Sequence, residues 1–322
     1  MASPNLSEIV TTTIRNRSKQ LSDNVSDNTP LLWKLKQKDK IRPFSGGRNI
    51  AQELEYAENG TFKRYSGYEN LDISPSDVFT AAEFEIKQAA VAVSISGLEQ
   101  LQNSSKEAMI DLLDSRIKNA ERTMVNNITA DLYSDGTTDG GKQIDGLQAA
   151  VSGTPTTGTY GGINRATWSF WQNQLYDFST EGVTASATTI QTAMNSVYIS
   201  TCRNADKIDL WVAGDTYFRY YLESLQTNQR FMDEKMAGAG FQNVVYMGAP
   251  VVLGGGNGGQ QTATTMYGLN CDYIHYRPHK DRDMVPLDPD RFSTNQDAMV
   301  KLIGWAGNLT TSNASLQAVI QA

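Results

Sequence analysis

The segment LGGGNGGQ places Gly254, Gly256 and Gly259 at the spacing G-x-G-x-x-G, directly after a predicted strand. In dinucleotide-binding proteins such glycines lead into a helix whose N-terminus holds the pyrophosphate. The sequence that follows here, QQTATTMYG, lacks the apolar period of a helix. We therefore predict a surface loop at Gly254–Gly259. A soluble α/β enzyme or a nucleotide-binding protein that uses this loop remains the alternative function.

The two histidines of the chain, His275 and His279, are four residues apart, as metal ligands on a helix often are. Pro278 lies between them, so the segment is predicted to be a strand followed by a turn. Asp281 and Asp283 could complete a ligand set, but a charged loop is the simpler interpretation. No GxSxG motif precedes this segment, and no other histidine is available for a hydrolytic triad. The sequence therefore predicts no catalytic residue, no metal site and no cofactor.

Length and composition are those of a globular chain. Its 322 residues are 39% hydrophobic and 20% charged, which is too apolar for a disordered protein and long enough for two domains. Met1–Val10 has no signal-peptide pattern and no segment is long and apolar enough to span a membrane, so we expect a cytosolic, soluble protein. Cys202 and Cys271 are far apart in sequence, and we expect both to be reduced and buried.

A basic N-terminal segment precedes an acidic body. Residues 1–50 contain nine Lys or Arg against four Asp or Glu, although the net charge of the chain is −7. If the segment WKLKQKDKIR were extended, its alternating cations would lie on one face; they are Lys34, Lys36, Lys38, Lys40 and Arg42. Such a face is either solvated or contacts phosphate or an acidic patch on a neighbouring copy. No DNA-binding motif follows.

A long two-stranded hairpin is predicted next. Asn59-Gly60 favours a tight reversal between its limbs. In the return limb, VFTAAEFEIKQAAVAVSISG, the apolar side changes parity near Gln88 to Ala90, which predicts a bulge or bend where a projecting hairpin joins a packed domain. A projecting ribbon cannot bury its own apolar side chains. We therefore expect the hairpin to contact another chain.

The clearest helix begins with the capping-box pair Ser104 and Glu107 and runs for about 29 residues, at three- and four-residue apolar spacing, toward a stop at Gly136. An α/β region follows, from about Val151 to Asn270. In it Asp215 is placed to cap a short helix, and two strands flank Gly248-Ala249-Pro250.

Four segments in this order carry a resemblance to a known family: IDGLQAAV, INRATWSFW, MYGLNCDYIHYRP and QDAMVKLIGWAGNLTTSNASLQAVI. With the parts described above, they resemble the major capsid protein of a tailed bacteriophage with the HK97-type fold. The resemblance implies an α+β fold with an N-terminal arm, an extended E-loop hairpin, a peripheral domain with a long spine helix, and an axial α/β domain. The implied boundaries are 1–48 for the arm, 49–96 for the hairpin, 97–150 and 272–305 for the peripheral domain, and 151–271 and 306–322 for the axial domain.

The resemblance also implies a function. The chain would self-assemble in the host cytoplasm. Its hexamers and pentamers would form the icosahedral shell of the virion around double-stranded DNA. Its partners would be other copies, portal and scaffolding proteins, and DNA through non-specific contacts, with no membrane; a decoration protein is left open as a further partner. Another phage structural role, in a decoration or tail protein, is the remaining alternative.

Contacts between copies are expected at the arm cations and at the hairpin tip, through Phe62, Lys63, Arg64, Tyr65 and Tyr68. Some family members join subunits by a bond between Lys and Asn. Lys63 with Asn308 or Asn313 would be the pair here, but the sequence shows no buried carboxylate that such a bond needs, so we do not predict it.

Overall fold

The computed structural model describes residues 29–102, 106–225, 234–238, 243–254, 261–292 and 298–322. The helices and helical turns are α1 Pro30–Gln37, α2 Gly97–Gln102, α3 Lys106–Asp131, α4 Thr138–Gly141, α5 Leu147–Ala150, α6 Ile190–Thr201, α7 Asp215–Ser224 and α8 Glu234–Gly238. The strands are β1 Asn49–Glu55, β2 Phe79–Glu85, β3 Lys87–Ser96, β4 Thr159–Tyr160, β5 Ile163–Asn164, β6 Gln174–Asp177, β7 Leu210–Ala213, β8 Asn243–Tyr246, β9 Ala249–Leu253, β10 Thr265–Leu269, β11 Ile274–Pro278, β12 Val285–Phe292, β13 Ala298–Thr311 and β14 Ala318–Gln321.

The long helix α3 packs against a four-stranded sheet. In that sheet β13 pairs antiparallel with β3, β12 and β11. The predicted apolar stripe is the buried side of the helix, at Ile117, Ala120, Met124 and Ile128, because residues three and four apart share one face. Its predicted start at Ser104 lies outside the described residues, and the helix has 26 residues where about 29 were expected.

The α/β region forms a second, six-stranded sheet in the order β6-β14-β10-β7-β9-β8, on which α6 and α7 pack. The predicted helices and strands of this region are present. The cap of α7 is Gly214 rather than Asp215, which is the first helical residue. A Cβ atom at position 214 would lie 2.1 Å from the carbonyl oxygen of Thr262, so the approach of these two backbones requires glycine.

The hairpin joins the four-stranded sheet at a break in its return limb. Strand β2 pairs with β1, whereas β3, on the other side of Ile86, pairs with β13. The predicted bend at the joint is therefore confirmed, two residues before the expected position. The predicted tight reversal at Asn59-Gly60 is wrong, because the ladder closes at Glu55 and Phe79. Asn59 instead forms a local turn, in which its Oδ1 accepts the Thr61 N–H at 3.0 Å.

The chain ends by crossing between the two sheets. Strand β13 belongs to the four-stranded sheet and continues to Thr311, and β14 lies in the six-stranded sheet between β6 and β10. Of the two thiols, both free, Cys271 is buried as predicted, but Cys202 is exposed, so that prediction is wrong. None of the described helices is long and apolar enough to cross a lipid bilayer.

Candidate functional site

The connection between β1 and β2, residues 56–78, forms the hairpin tip, and it exposes large apolar side chains. Phe62 is 77% exposed, Tyr65 62%, and Tyr68 is fully exposed. The cations between them have partners within the tip. Lys63 Nζ lies 3.0 Å from Glu69 Oε2, and the Arg64 guanidinium lies 5.4 Å from the centre of the Phe62 ring. Several large apolar side chains exposed in one segment are typical of an interface with another chain.

The N-terminal arm cations do not form the single face that an extended backbone would give, because Lys34 and Lys36 lie on helix α1. The helix docks through Leu31, Leu32 and Leu35, which are fully buried. This burial explains why the alternation of lysines did not predict the local structure, since packing of the apolar side chains overrides the charge pattern.

Two arm lysines bind acidic residues of their own chain. Lys38 Nζ donates a hydrogen bond to Asp272 Oδ2 at 2.6 Å and also pairs with Asp209. Lys40 Nζ lies 3.5 Å from Asp272 Oδ1. Burial raises the pKa of Asp272, but the two lysines lower it more, so that its pKa lies below the ordinary value. The acidic partner expected for this segment is thus present within the chain itself for Lys38 and Lys40.

A buried polar cluster lies where the hairpin joins the sheet; we call Lys87, Asp145 and Asn308 the joint cluster. Asn308 is fully buried. Its Nδ2 donates to Asp145 Oδ2 at 2.7 Å and to the Glu85 carbonyl at 2.9 Å, and its Oδ1 accepts the Asp145 N–H at 3.0 Å. Lys87 Nζ lies 3.9 Å from Asp145 Oδ1 and donates to the Gly141 carbonyl at 2.7 Å.

The joint cluster ties the hairpin to both the sheet and the segment after α3. Burial raises the pKa of Asp145, while Asn308 and Lys87 oppose the increase. The sequence singled out only Asn308; the carboxylate beside it is Asp145, whose side chain is 25% exposed. The sequence signal nearest to the cluster was the parity change in the return limb. Lys63, the other residue considered for a covalent bond, pairs with Glu69 in the hairpin tip.

The described residues on both sides of the candidate nucleotide loop are not helical. Gly254 follows β9 directly, residues 255–260 lie outside the described part, and the chain resumes with Gln261 and strand β10. Gln261 Nε2 donates to the carbonyls of Val212 and Thr265, at 2.9 and 3.0 Å. These bonds hold Gln261 against strands β7 and β10. From Gln261 onward the described chain forms a turn and a strand, not the helix that binds a pyrophosphate in dinucleotide-binding proteins.

The two histidines have different environments. His275 is only 4% exposed and its Nδ1 has no hydrogen-bond partner among the described residues. His279 stacks edge-on against Phe44 at 5.0 Å, and its Nδ1 accepts the Asp281 N–H at 3.1 Å. Within the described ranges, no group of three or more His, Cys, Asp or Glu side chains is placed to hold a metal ion.

His275 makes the stability of the fold sensitive to acid. Burial, followed by the charges of Arg42, Lys40 and Arg277, lowers its pKa from 6.5 to about 4. A histidine whose pKa is depressed by folding stabilises the native state fully above its ordinary pKa, and that contribution is lost as the pH falls from 6.5 toward 4. We expect this loss to be about 2 kcal/mol, after allowance for solvent screening.

The measurement is the free energy of unfolding of the wild type and of His275→Gln between these two pH values. The glutamine stays neutral, so the variant should lose less stability than the wild type on acidification. His279→Gln is the matched control and should follow the wild-type curve. Parallel curves for the wild type and His275→Gln would contradict the assignment.

Among known proteins, only solved structures match this chain. No protein-family model and no curated protein matches the chain. A solved structure described as the Cyanophage A-1(L) capsid asymmetric unit matches with a TM-score of 0.63 at 18% identity, over 88% of this chain and 90% of that chain. The capsid of Myoviridae Phage XM1 matches with a TM-score of 0.51 at 12% identity, over 89% and 90% of the two chains.

A third solved structure, the capsid of an empty GTA particle, has a TM-score of 0.51 at 9% identity and covers 88% of each chain. The match in each case covers nearly nine-tenths of this chain and of the other chain. The mixed α/β architecture described above is therefore the fold of the chains that form these phage capsids.

Proposed function

We propose that this protein is a major capsid protein of a tailed bacteriophage, a structural subunit and not an enzyme, whose copies assemble into the icosahedral shell around double-stranded DNA. The observation that carries the proposal is the match to the cyanophage capsid chain over 88% of this chain and 90% of the other. The exposed hairpin tip supports it independently, since an isolated subunit gains nothing from exposing such rings to water.

The HK97-type division of the chain is part of this proposal. Residues 49–96 are the E-loop hairpin, 97–150 and 272–305 the peripheral domain with α3 as its spine helix, and 151–271 and 306–322 the axial domain. The arm is 1–48, of which residues 1–28 lie outside the described part. Two separate sheets, with α3 on one and α6 and α7 on the other, support the division.

Assembly would depend on many modest contacts. The hairpin tip supplies aromatic area, and among the arm cations Lys34 and Arg42 are candidates for contacts with neighbours. Each subunit contacts several others, and closure of the shell makes these contacts interdependent. The high effective concentration of neighbouring subunits in the shell then compensates for weak pairwise affinity. Portal and scaffolding proteins, a possible decoration protein and packaged DNA are the further partners. A chain with a net charge of −7 would contact DNA weakly and without sequence preference.

Negative-stain electron microscopy with sedimentation tests this function directly. The purified chain is expressed with and without a co-expressed candidate scaffolding protein, and the expected result is closed shells or curved sheets of hexamers and pentamers. A monomer or dimer under every condition would overturn the proposal. In that case, an increase in melting temperature on addition of nucleotides would support a role for the loop after Gly254.

A further inference from the structure

One face of the β1–β2 ribbon is a strip of carboxylates. The register pairs Glu53 with Ala81 and Glu83 with Ala51, and Glu55 and Glu85 lie on the same face. Each of these four glutamates is exposed, whereas the opposite face is buried, with Phe84 packed edge-on against Tyr160 at 5.1 Å. We call Glu53, Glu55, Glu83 and Glu85, together with the two alanines between them, the acidic ribbon face.

Most of this negative charge is not neutralised within the described chain. Lys87 Nζ lies 3.1 Å from Glu85, and Glu83 receives only a neutral amide hydrogen bond, from Asn49 at 2.9 Å. No cation among the described residues lies within ion-pair distance of Glu53 or Glu55. No two of the four glutamates lie opposite each other, since Glu53 and Glu83 face alanines, Glu55 faces Phe79 and Glu85 faces Asn49. Direct cross-strand repulsion is therefore avoided, but the strip still gains free energy when a cation docks.

A groove of about 640 Å³ borders the strip beside β2. Asp135 and Asp145 line it together with Glu83 and Glu85. The cations on its walls are engaged inward, since Lys87 belongs to the joint cluster and Arg165 donates to the carbonyls of Ala149 and Ala150, at 2.7 and 2.8 Å. The strip thus borders an acidic groove at its Glu83 and Glu85 end, whereas Glu53 and Glu55 line a second groove. The exposed alanines Ala51 and Ala81 leave room for bulky side chains between the carboxylates.

The hairpin tip has the complementary chemistry. Lys63 and Arg64 are adjacent and exposed, with Phe62 and Tyr65 on either side. Within its own chain Lys63 pairs with Glu69 and the Arg64 guanidinium lies over the Phe62 ring, and neither cation contacts the acidic ribbon face. A tip that binds this face must therefore come from another copy. Such a contact joins two different surfaces, and contacts of this type form a ring when the rotation between successive copies closes.

We propose that the acidic ribbon face receives the Lys63–Arg64 tip of a second copy of this chain, which makes the hairpin both donor and acceptor of one head-to-tail contact. The inference rests on the proposed function, because it assigns the surface that the tip contacts in the shell. The inference goes beyond the proposed function because it names the acceptor residues and their charge.

Charge exchange tests the pairing. Two double variants reverse the charge on one side of the contact: Lys63→Glu with Arg64→Glu in the tip, and Glu53→Lys with Glu83→Lys on the acidic ribbon face. Each should reduce the particle yield at least tenfold, which corresponds to about 1.4 kcal/mol. Combining all four changes should restore most of the yield. Glu181→Lys with Asp281→Lys, two exposed carboxylates outside the hairpin, is the control for net charge and should leave the yield unchanged. Normal yield after reversal of the acidic face, or no recovery in the combined variant, would overturn the inference.

A disulfide assay separates failure of this contact from failure of the proposed function. In a Cys202→Ser background, Arg64→Cys is combined with Ala81→Cys at the centre of the acidic face, and the purified chain is oxidised and run on a non-reducing gel. Dimers and higher species that disappear on reduction are expected, whether or not closed shells form. Arg64→Cys with Glu181→Cys is the control. Monomer alone from the first pair would overturn the contact, even if the wild type forms shells.

Discussion

Replacement of Phe62 and Tyr65 together by alanine is expected to reduce the yield of sedimenting particles at least tenfold. The melting temperature of the subunit should change by less than about 2 °C. Both side chains are largely exposed, at 77% and 62%, so their removal takes little from the subunit core. Aromatic side chains at the centre of an interface typically contribute about 2 kcal/mol each, and every subunit in a shell makes the same contact.

Ile199→Ala is the matched control, because Ile199 is 74% exposed on helix α6, far in sequence from the hairpin. It should leave both particle yield and melting temperature unchanged. Sedimentation of the assembled fraction and thermal denaturation of the unassembled subunit are measured on the same preparations. Wild-type yield from the double-alanine variant would show that the tip makes no important contact. A large decrease in melting temperature would show that the tip stabilises its own subunit.

The elements that the sequence predicted well are those governed by a local period. The apolar side chains of α3 recur every three or four residues, so both its existence and its buried face followed from the sequence. The change of parity in the return limb indicated the joint at Ile86 to within two residues. In a strand with one buried face, apolar and polar residues alternate along the sequence, so a break in the alternation marks a break in the strand.

The interpretation of the arm depended instead on distant residues. Lys38 binds Asp209 and Asp272, which follow it by 171 and 234 positions. No local pattern shows that these side chains come together. The alternating lysines were therefore compatible with several structures, and docking of Leu31, Leu32 and Leu35 selected the helix.

The joint cluster escaped sequence analysis for the same reason. Asp145 and Asn308 are 163 positions apart, and Glu85 and Asn308 are 223 apart. In sequence, Asp145 lies in an ordinary Gly- and Asp-rich turn, and Asn308 in the middle of a strand. Only the pairing of β13 with β3 brings these groups together.

Substitution of Asn308 by alanine is expected to destabilise the subunit by about 3 kcal/mol. The variant loses the hydrogen bonds of Asn308 to Asp145 and to the Glu85 carbonyl, and it leaves the partly buried Asp145 carboxylate with one partner fewer. The melting temperature should fall by several degrees, at roughly 2–4 °C per kcal/mol for a chain of this size class. Chemical denaturation of the unassembled subunit measures the loss, and Asn313→Ala, in the loop before β14, is the control with little expected effect.

Asn308→Asp distinguishes loss of packing from loss of the specific hydrogen bond. The variant keeps the shape of the side chain but replaces the donor to Asp145 by a second carboxyl group. A fully buried carboxylate at position 308 and the adjacent, partly buried Asp145 cannot both ionise at low cost, so the variant should be destabilised at neutral pH. As the pH falls and one carboxyl group is protonated, the O–H can donate in place of the lost N–H, and the difference from the wild type should shrink. A penalty that does not change with pH would mean that Asp145 does not interact with position 308 in solution. In that case the hairpin would be held by strand pairing alone.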